Sequence, residues 1–145
     1  MDIIKQEYKG FRELTVMKKK PDLIIIHHRG GDGTPGGIHC QHLKQGWAGI
    51  GYHYYIRKTG EVYTGRPQWA IGAHCAGYNS HSFGICLEGN FEVEEPTDIQ
   101  LANLKELCKY LKKLFPTIKT IKGHRDFMPT ACPGKNLYKH IYKYN

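Results

Sequence analysis

The sequence predicts a single α/β domain in which one central mixed β-sheet is flanked by α-helices. Residues 23–28 form a continuous apolar run of strand length, the pattern of a strand buried on both faces of a sheet. Residues 97–115 carry apolar side chains at spacings of three and four, which is the period of an amphipathic helix. Shorter strand-forming segments lie between them. Strands mixed with helices along a chain of 145 residues indicate one α/β domain.

The N-terminal part of the chain contains a lead-in, the buried strand and a glycine-rich segment. Residues 1–22 have no clear apolar period and are interpreted as a lead-in that wraps on the domain. Residues 29–37 follow the strand and contain five glycines and one proline, which predicts a loop. This loop would lie at the carboxyl end of a central strand, where α/β sheets commonly bind ligands. Residues 38–46 are predicted to form a short helix.

The middle of the chain is predicted to form a hairpin and one further strand. Residues 51–56 are rich in strand formers, residues 58–61 have turn chemistry, and residues 62–64 form the second strand of the hairpin. Residues 72–79 are interpreted as a loop, and residues 82–88 as a strand.

The C-terminal part of the chain contains the clearest helix. Thr97 and Gln100 predict a capping box at its start, and Pro116 ends it. Residues 118–121 are predicted to form a short strand, and residues 137–144 a terminal helix. Because no repeat or linker interrupts the pattern, residues 1–145 are expected to form one domain.

Composition restricts the classes of function. The N-terminus lacks an apolar segment of signal-peptide length, and no apolar run approaches the ~20 residues that span a bilayer. Synthesis in the cytoplasm and no membrane insertion are therefore expected. Five cysteines without paired spacing favour reduced thiols.

The charge distribution suggests one alternative function. The net charge is +8, and residues 105–145 contain ten lysines and arginines against two acidic residues. Such a surface attracts polyanions, so a nucleic-acid-binding domain with a structural zinc is one hypothesis. The lysines on the polar side of the long helix are explained more simply by solvation.

Residues 122–134 place a histidine and a cysteine in one segment that glycine and proline punctuate. The imidazole of His124 and the thiolate of Cys132 are both good zinc ligands, with bonds of about 2.0 and 2.3 Å. A third ligand is expected from His27 or His28 at the end of the buried strand, and the residues alone do not decide between the two. Three protein ligands leave the fourth position of zinc to water, which is the arrangement of a catalytic site.

Five segments in this order resemble the zinc-dependent N-acetylmuramoyl-L-alanine amidases. They are the apolar strand that ends in histidine and the segments GYHYYI, GAHCAGYN, SFGICLEG and GHRDFMPTACPG. The similarity is greatest to the small phage endolysins, whose fold is shared with animal peptidoglycan recognition proteins, and it extends over residues 23–137. It implies the amidase fold of the peptidoglycan recognition proteins. It also implies an enzyme that cleaves the amide bond between N-acetylmuramic acid and the L-alanine of the stem peptide.

The resemblance assigns catalytic roles to individual residues. The residues that it implies as zinc ligands are His27, His124 and Cys132. Tyr52 of the GYH segment is implied as a catalytic residue. Thr130 is implied as a second one, because active recognition proteins carry threonine there, although phage-type enzymes can carry a lysine. Glu88 should point to the same face of its strand as Cys86, where another branch of the family carries a glutamate base, and it is a candidate to assist catalysis.

The resemblance also implies a substrate and a setting. The residues implied in the substrate groove are His74 and Asn79. The expected partner is bacterial peptidoglycan, whose carboxylates suit a basic surface, and neither a nucleic-acid partner nor an oligomer is expected. The enzyme would act on the wall after release from the cytoplasm, without a separate cell-wall-binding domain. A recognition module that binds peptidoglycan without cutting it is the alternative, which the intact Cys132 disfavours because non-hydrolytic relatives commonly lose that ligand.

The other histidines and cysteines are predicted to be structural. His53 alternates with Tyr52 and should face away from it. The histidines expected at ordinary polar positions are His39, His42, His81 and His140. The cysteines expected as small buried hydrophobic residues are Cys40, Cys75, Cys86 and Cys108. Arg125 and Asp126 are expected to form a local ion pair that braces their loop.

Overall fold

The chain folds around a six-stranded mixed β-sheet, seen in a computed structural model that describes residues 1–145. In chain order the strands are β1 (Ile3–Ile4), β2 (Leu23–His28), β3 (Tyr54–Ile56), β4 (Val62–Thr64), β5 (Ser82–Leu87) and β6 (Thr120–Gly123). Their order across the sheet is β1-β4-β3-β5-β2-β6. Strands β3, β5, β2 and β6 are parallel, β4 is antiparallel to β3, and β1 is parallel to β4. The predicted α/β domain with a mixed sheet is confirmed.

Three α-helices pack on this sheet: α1 (Pro35–Lys44), α2 (Asp98–Leu114) and α3 (Lys135–Ile141). Helix α2 begins at the predicted capping box. Thr97 Oγ1 accepts a hydrogen bond from the Gln100 N–H at 3.2 Å, and Gln100 Oε1 accepts one from the Thr97 N–H at 3.1 Å. None of the helices has the length and apolar character that crossing a membrane requires.

The alternation of side chains along β2 separates the two faces of the sheet. Ile24 and Ile26 lie in the main core beneath α2 and α3, where burial of each side chain stabilises the fold by about 1.5–3 kcal/mol. His27 points to the opposite face, and the strand register places it beside Cys86 of β5. Strand β2 therefore presents His27, rather than His28, on the face that α2 and α3 leave uncovered.

The first helix begins earlier than the sequence predicts. The glycine-rich composition predicts a loop up to Gly37, but α1 spans Pro35–Lys44. Thr34 caps this helix, since its Oγ1 accepts a hydrogen bond from the Gly37 N–H at 3.0 Å. Pro35 occupies the first turn, where the N–H that it lacks would have no helical partner. The part of the loop prediction that covers residues 35–37 is therefore wrong.

The lead-in is attached to the rest of the chain by two short pairings, one of which belongs to the sheet. In β1, Ile3 lies opposite Val62, and Val16 forms an isolated bridge with Ala70. Pairings this short leave no period in a sequence, so the sequence does not predict them. Other boundaries shift by two or three residues, since β3 begins at residue 54, β6 at residue 120 and α3 at residue 135.

All five cysteines are free. Cys75, Cys86 and Cys108 are buried, as predicted, whereas Cys40 is exposed, so the predicted burial of Cys40 is wrong. Helix α1 buries a different stripe, formed by Pro35, Ile38, His39 and His42.

Candidate metal centre

Three side chains that can bind a metal converge at the carboxyl ends of two neighbouring strands. His27 lies in β2, and His124 directly follows β6, which pairs in parallel with β2. Cys132 comes from the loop before α3. The ligand atoms of these three residues all lie within 4.8 Å of one another. They are the three residues that the family resemblance implies as ligands.

The spacing of this group fits a tetrahedral zinc ion. His27 Nδ1 lies 3.6 Å from Cys132 Sγ. Tetrahedral bonds of about 2.0–2.1 Å to nitrogen and about 2.3 Å to sulfur would place these two atoms about 3.6 Å apart. The His27 and His124 rings are 4.6 Å apart between centroids. Two imidazole nitrogens and one thiolate form a donor set that suits zinc.

Backbone hydrogen bonds fix the position of Cys132. The Arg125 N–H donates to the Cys132 carbonyl at 2.8 Å, which joins the two ends of the loop. The His28 N–H points at Cys132 Sγ at 3.4 Å, and such a donor stabilises a thiolate. Thr130 Oγ1 accepts from the Cys132 N–H at 3.2 Å, and the Thr130 side chain is exposed. A catalytic role for Thr130 stays a prediction.

The turn that carries His124 is braced by Asp126. Its carboxylate accepts hydrogen bonds from the Gly123 N–H at 2.8 Å and from the Tyr138 hydroxyl at 2.6 Å. Arg125 lies over the Tyr138 ring at 4.4 Å instead of pairing with Asp126. The expected ion pair is therefore wrong, because both carboxylate oxygens of Asp126 bind other donors.

Burial sets the protonation of the three candidate ligands. It lowers the pKa of His27, which the neighbouring His74 and His124 lower further, and it also lowers the pKa of His124. Both imidazoles are therefore neutral at neutral pH and can offer a lone pair to a metal. Burial raises the pKa of Cys132 to about 12. Metal binding must then displace the thiol proton.

Tyr52 lies beside the candidate ligands. Its ring centroid is 5.0 Å from that of His27. Burial raises the pKa of Tyr52, and the thiols of Cys86 and Cys132 raise it further. The phenol therefore stays protonated at neutral pH and can donate a hydrogen bond.

A cavity of about 210 Å³ opens next to Tyr52. The polar and aromatic residues that line it with Tyr52 are Arg29, Gln41, His42, Gln45 and Trp47. The Nε atom of Arg29 is buried without a hydrogen-bond partner. A cavity with polar groups in its lining, connected to His27 through Tyr52, can receive a polar substrate.

His74 is buried against the far side of His27. Only 8% of His74 is exposed, and its Nδ1 lies 2.9 Å from His27 Nε2. Asn79 Oδ1 accepts hydrogen bonds from the His74 and Cys75 N–H groups, both at 2.9 Å. The structure thus brings His74 to the metal-ligand group and Asn79 to the loop that carries His74. The predicted contact of both residues with substrate stays a prediction.

Glu88 is hydrogen-bonded to groups other than the three candidate ligands. Its two oxygens accept hydrogen bonds from the Arg57 side chain and from the N–H groups of Lys58 and Gly33, at 2.9–3.0 Å. Burial raises the pKa of Glu88, but these donors outweigh burial and lower it from 4.5 to about 2. A carboxylate with this pKa and these partners is a poor base, so the geometry favours a structural role.

Replacing Glu88 with glutamine is expected to weaken the fold and to leave catalysis intact. Loss of charge-assisted hydrogen bonds should lower the free energy of unfolding by about 1.5–3 kcal/mol at pH 7. Because the folded pKa of Glu88 is below its ordinary value, the stabilisation exists above about pH 4.5 and disappears as the pH falls towards 2. Urea unfolding of both proteins between pH 7 and 2 measures this, with Glu106→Gln on the exposed side of α2 as control. A folded Glu88→Gln protein without activity would contradict the structural role.

Three buried histidines are a feature that the sequence does not reveal. Each accepts a backbone N–H through Nδ1: His39 from Ile50, His42 from Gly51 and His53 from Gly84, at 3.0–3.1 Å. The interpretation of His39 and His42 as ordinary polar positions is therefore wrong. His53, which was predicted to be structural, is fully buried. A histidine that satisfies a loop N–H has no distinctive sequence spacing.

A family model and several known proteins match this chain. The model described as N-acetylmuramoyl-L-alanine amidase matches residues 17–135. An endolysin of Enterobacteria phage K11 is 38% identical over 105 residues, which cover 69% of each chain.

Two solved structures are similar to this fold over nearly its whole length. The endolysin N-acetylmuramoyl-L-alanine amidase LysCS from Clostridium intestinale has a TM-score of 0.89 at 40% identity, covering 93% of this chain and 88% of that one. A mutant of the Drosophila peptidoglycan recognition protein LB in complex with tracheal cytotoxin has a TM-score of 0.87 at 27% identity. That match covers 98% of this chain and 94% of the other.

Proposed function

The chain belongs to the N-acetylmuramoyl-L-alanine amidase family, and we propose that it works with a zinc ion held by His27, His124 and Cys132. It is a peptidoglycan hydrolase of the endolysin type, which cleaves the amide bond between N-acetylmuramic acid and L-alanine. The observation that carries the zinc proposal is the convergence of the three ligand atoms within 4.8 Å. Since all three ligands are present, a module that only binds peptidoglycan is not favoured.

The three ligands would hold the metal in a site with one open position. When bound, zinc supplies Lewis-acid polarisation of the scissile carbonyl and activation of water at neutral pH. His27 and His124 contribute neutral nitrogen donors, and Cys132 contributes a thiolate that the His28 N–H stabilises. Cys132 would therefore be the only one of the three ligands that carries a negative charge.

Tyr52 would donate a hydrogen bond to the oxygen on which negative charge develops. Its phenol is protonated, and its ring lies beside His27, within reach of a substrate in the adjoining cavity. Preorganised donors of this kind stabilise a transition state strongly because they need no reorganisation during the reaction. Thr130 would supply a second neutral donor from the loop of Cys132.

The muramyl peptide would bind in the cavity that Tyr52 lines. Its polar lining and the net charge of +8 suit the carboxylates of stem peptides. The complex of the Drosophila relative with tracheal cytotoxin supports peptidoglycan as the partner. The names of the endolysin relatives support action on the bacterial cell wall.

Removal of zinc is expected to abolish activity reversibly. Dialysis against a chelator should stop the clearing of a peptidoglycan suspension, and one equivalent of Zn²⁺ should restore it. Mg²⁺ should not restore it, because a nitrogen and sulfur donor set suits Mg²⁺ poorly. Elemental analysis of each sample gives the metal content. A metal-free protein that still clears the suspension would remove the zinc proposal and leave the family assignment in place.

A further inference from the structure

A line of hydrogen bonds runs from His27 away from the other two ligands. His27 Nε2 lies 2.9 Å from His74 Nδ1, and His74 Nε2 lies 3.2 Å from Ser82 Oγ. Ser82 Oγ lies 2.7 Å from the Tyr78 carbonyl oxygen. The other nitrogen of His27, Nδ1, faces Cys132 Sγ at 3.6 Å.

The carbonyl at the end of this line determines where the protons sit. A carbonyl only accepts, so the Ser82 hydroxyl donates to Tyr78 and its oxygen accepts from His74 Nε2–H. A neutral imidazole carries one N–H, so His74 Nδ1 is an acceptor. His27 must therefore donate through Nε2–H, which leaves the lone pair of His27 on Nδ1, towards Cys132.

The surroundings exclude other proton arrangements. Ser82 is fully buried, and His74 is 8% exposed, so water does not replace these partners easily. No carboxylate contacts His74, and a buried cation without a counter-charge is unfavourable. The His74 ring also packs closely against Gly84, since a Cβ atom added at Gly84 would lie 2.6 Å from the ring.

We propose that His74 and Ser82 are positioning residues that orient His27 and hold its proton on Nε2, so that Nδ1 is free to bind the metal. Neither residue would contact zinc. The inference rests on the proposed zinc site and adds residues that act through His27. It follows from the line of hydrogen bonds that ends at the Tyr78 carbonyl.

Histidine tautomers in the metal-free protein test the proposal directly. Long-range ¹H–¹⁵N correlation spectra distinguish a neutral imidazole protonated on Nε2 from one protonated on Nδ1. We expect His27 and His74 both to carry the proton on Nε2. Each signal is assigned from a variant in which one histidine is replaced. A His27 protonated on Nδ1 would overturn the proposal, and this readout depends on neither zinc nor activity.

Zinc affinity of matched variants provides the second test. His74→Leu removes the acceptor for His27, and we expect its affinity for Zn²⁺ to fall by about 10–100-fold in competition with a chromophoric chelator. His74→Asn places an amide oxygen near the former Nδ1 and should recover most of that loss. Ser82→Ala should weaken binding in the same direction. The control is His39→Asn, because His39 is also buried but bonds only to backbone groups, away from His74.

The two tests separate the positioning role from the zinc site itself. If the wild-type protein bound no zinc, the proposed zinc site would be refuted. The spectra would still show which nitrogen of His27 and His74 carries the proton. A folded His74→Leu protein with wild-type zinc affinity would overturn the positioning role alone. If His74→Leu does not fold, Ser82→Ala and His74→Asn test the positioning role in its place. Unchanged tautomers and unchanged zinc affinity in Ser82→Ala would also overturn that role.

Discussion

Cys132→Ala is expected to lose both zinc and the hydrolysis of peptidoglycan. The substitution removes the only thiolate of the donor set and leaves two neutral imidazoles, which bind zinc more weakly. Loss of metal catalysis worth several kcal/mol should lower kcat/KM by ~10³-fold or more. Zinc content by elemental analysis and clearing of a peptidoglycan suspension measure the two effects. His124→Ala should give the same result, since His124 supplies one of the two imidazoles.

The matched control for this substitution is Cys40→Ala. Cys40 is a free thiol exposed on α1, and it is not one of the candidate ligands. The control should keep one equivalent of zinc and wild-type activity. A Cys132→Ala protein that retains zinc and clears peptidoglycan would contradict the ligand assignment.

Tyr52→Phe is expected to keep zinc and to lose most of the catalytic rate. The change removes one hydroxyl beside His27 and leaves the ring in place, so the proposed metal ligands are untouched. Removal of one preorganised donor to a developing oxyanion typically lowers kcat by about 10²–10³-fold. The value of KM should change little, because the hydrogen bond strengthens only as negative charge develops.

Tyr54→Phe is the control for Tyr52→Phe. Tyr54 follows two residues later but lies in the main core on the other face of the sheet, and its hydroxyl accepts a hydrogen bond from Gln68 at 2.7 Å. It should retain wild-type kcat. If Tyr52→Phe also retained wild-type kcat with a full complement of zinc, the proposed donor role of Tyr52 would fail.

The parts of the fold that the sequence predicts well are those with a strong local pattern. Strand β2 is a continuous apolar run, and α2 combines a capping box with an apolar stripe that stops before Pro116. Local chemistry and long-range packing agree in both elements. Helix α1 was harder to predict because Gly36 and Gly37 lie in its first turn and conceal the signal of Thr34 and Pro35.

Two of the three proposed metal ligands were predictable for a similar reason. His124 and Cys132 lie in one short segment, and their residue types alone suggest zinc. The residue types alone do not distinguish His27 from His28. Adjacent residues of a strand point to opposite faces of the sheet, and the sequence does not show which face the helices cover. The structure resolves it, since His28 lies on the other face, where its Nδ1 accepts a hydrogen bond from the Phe91 N–H at 3.1 Å.

The hydrogen bonds behind His27 could not be read from the sequence. His74 and Ser82 are separated from His27 by 47 residues and more, and only the pairing of β2 with β5 brings them together. The motif that contains His74 indicates a functional residue without saying what it contacts. Which nitrogen of an imidazole carries the proton depends on partners that exist only in the folded chain.

The most direct test is to digest purified peptidoglycan with the zinc-loaded protein and to count new amino groups and new reducing sugar ends in the same sample. An N-acetylmuramoyl-L-alanine amidase releases the amino group of L-alanine and cuts no glycosidic bond. We therefore expect new L-alanine amino groups, no new reducing ends, and neither product with Cys132→Ala. New reducing ends without new amino groups would contradict the assigned activity.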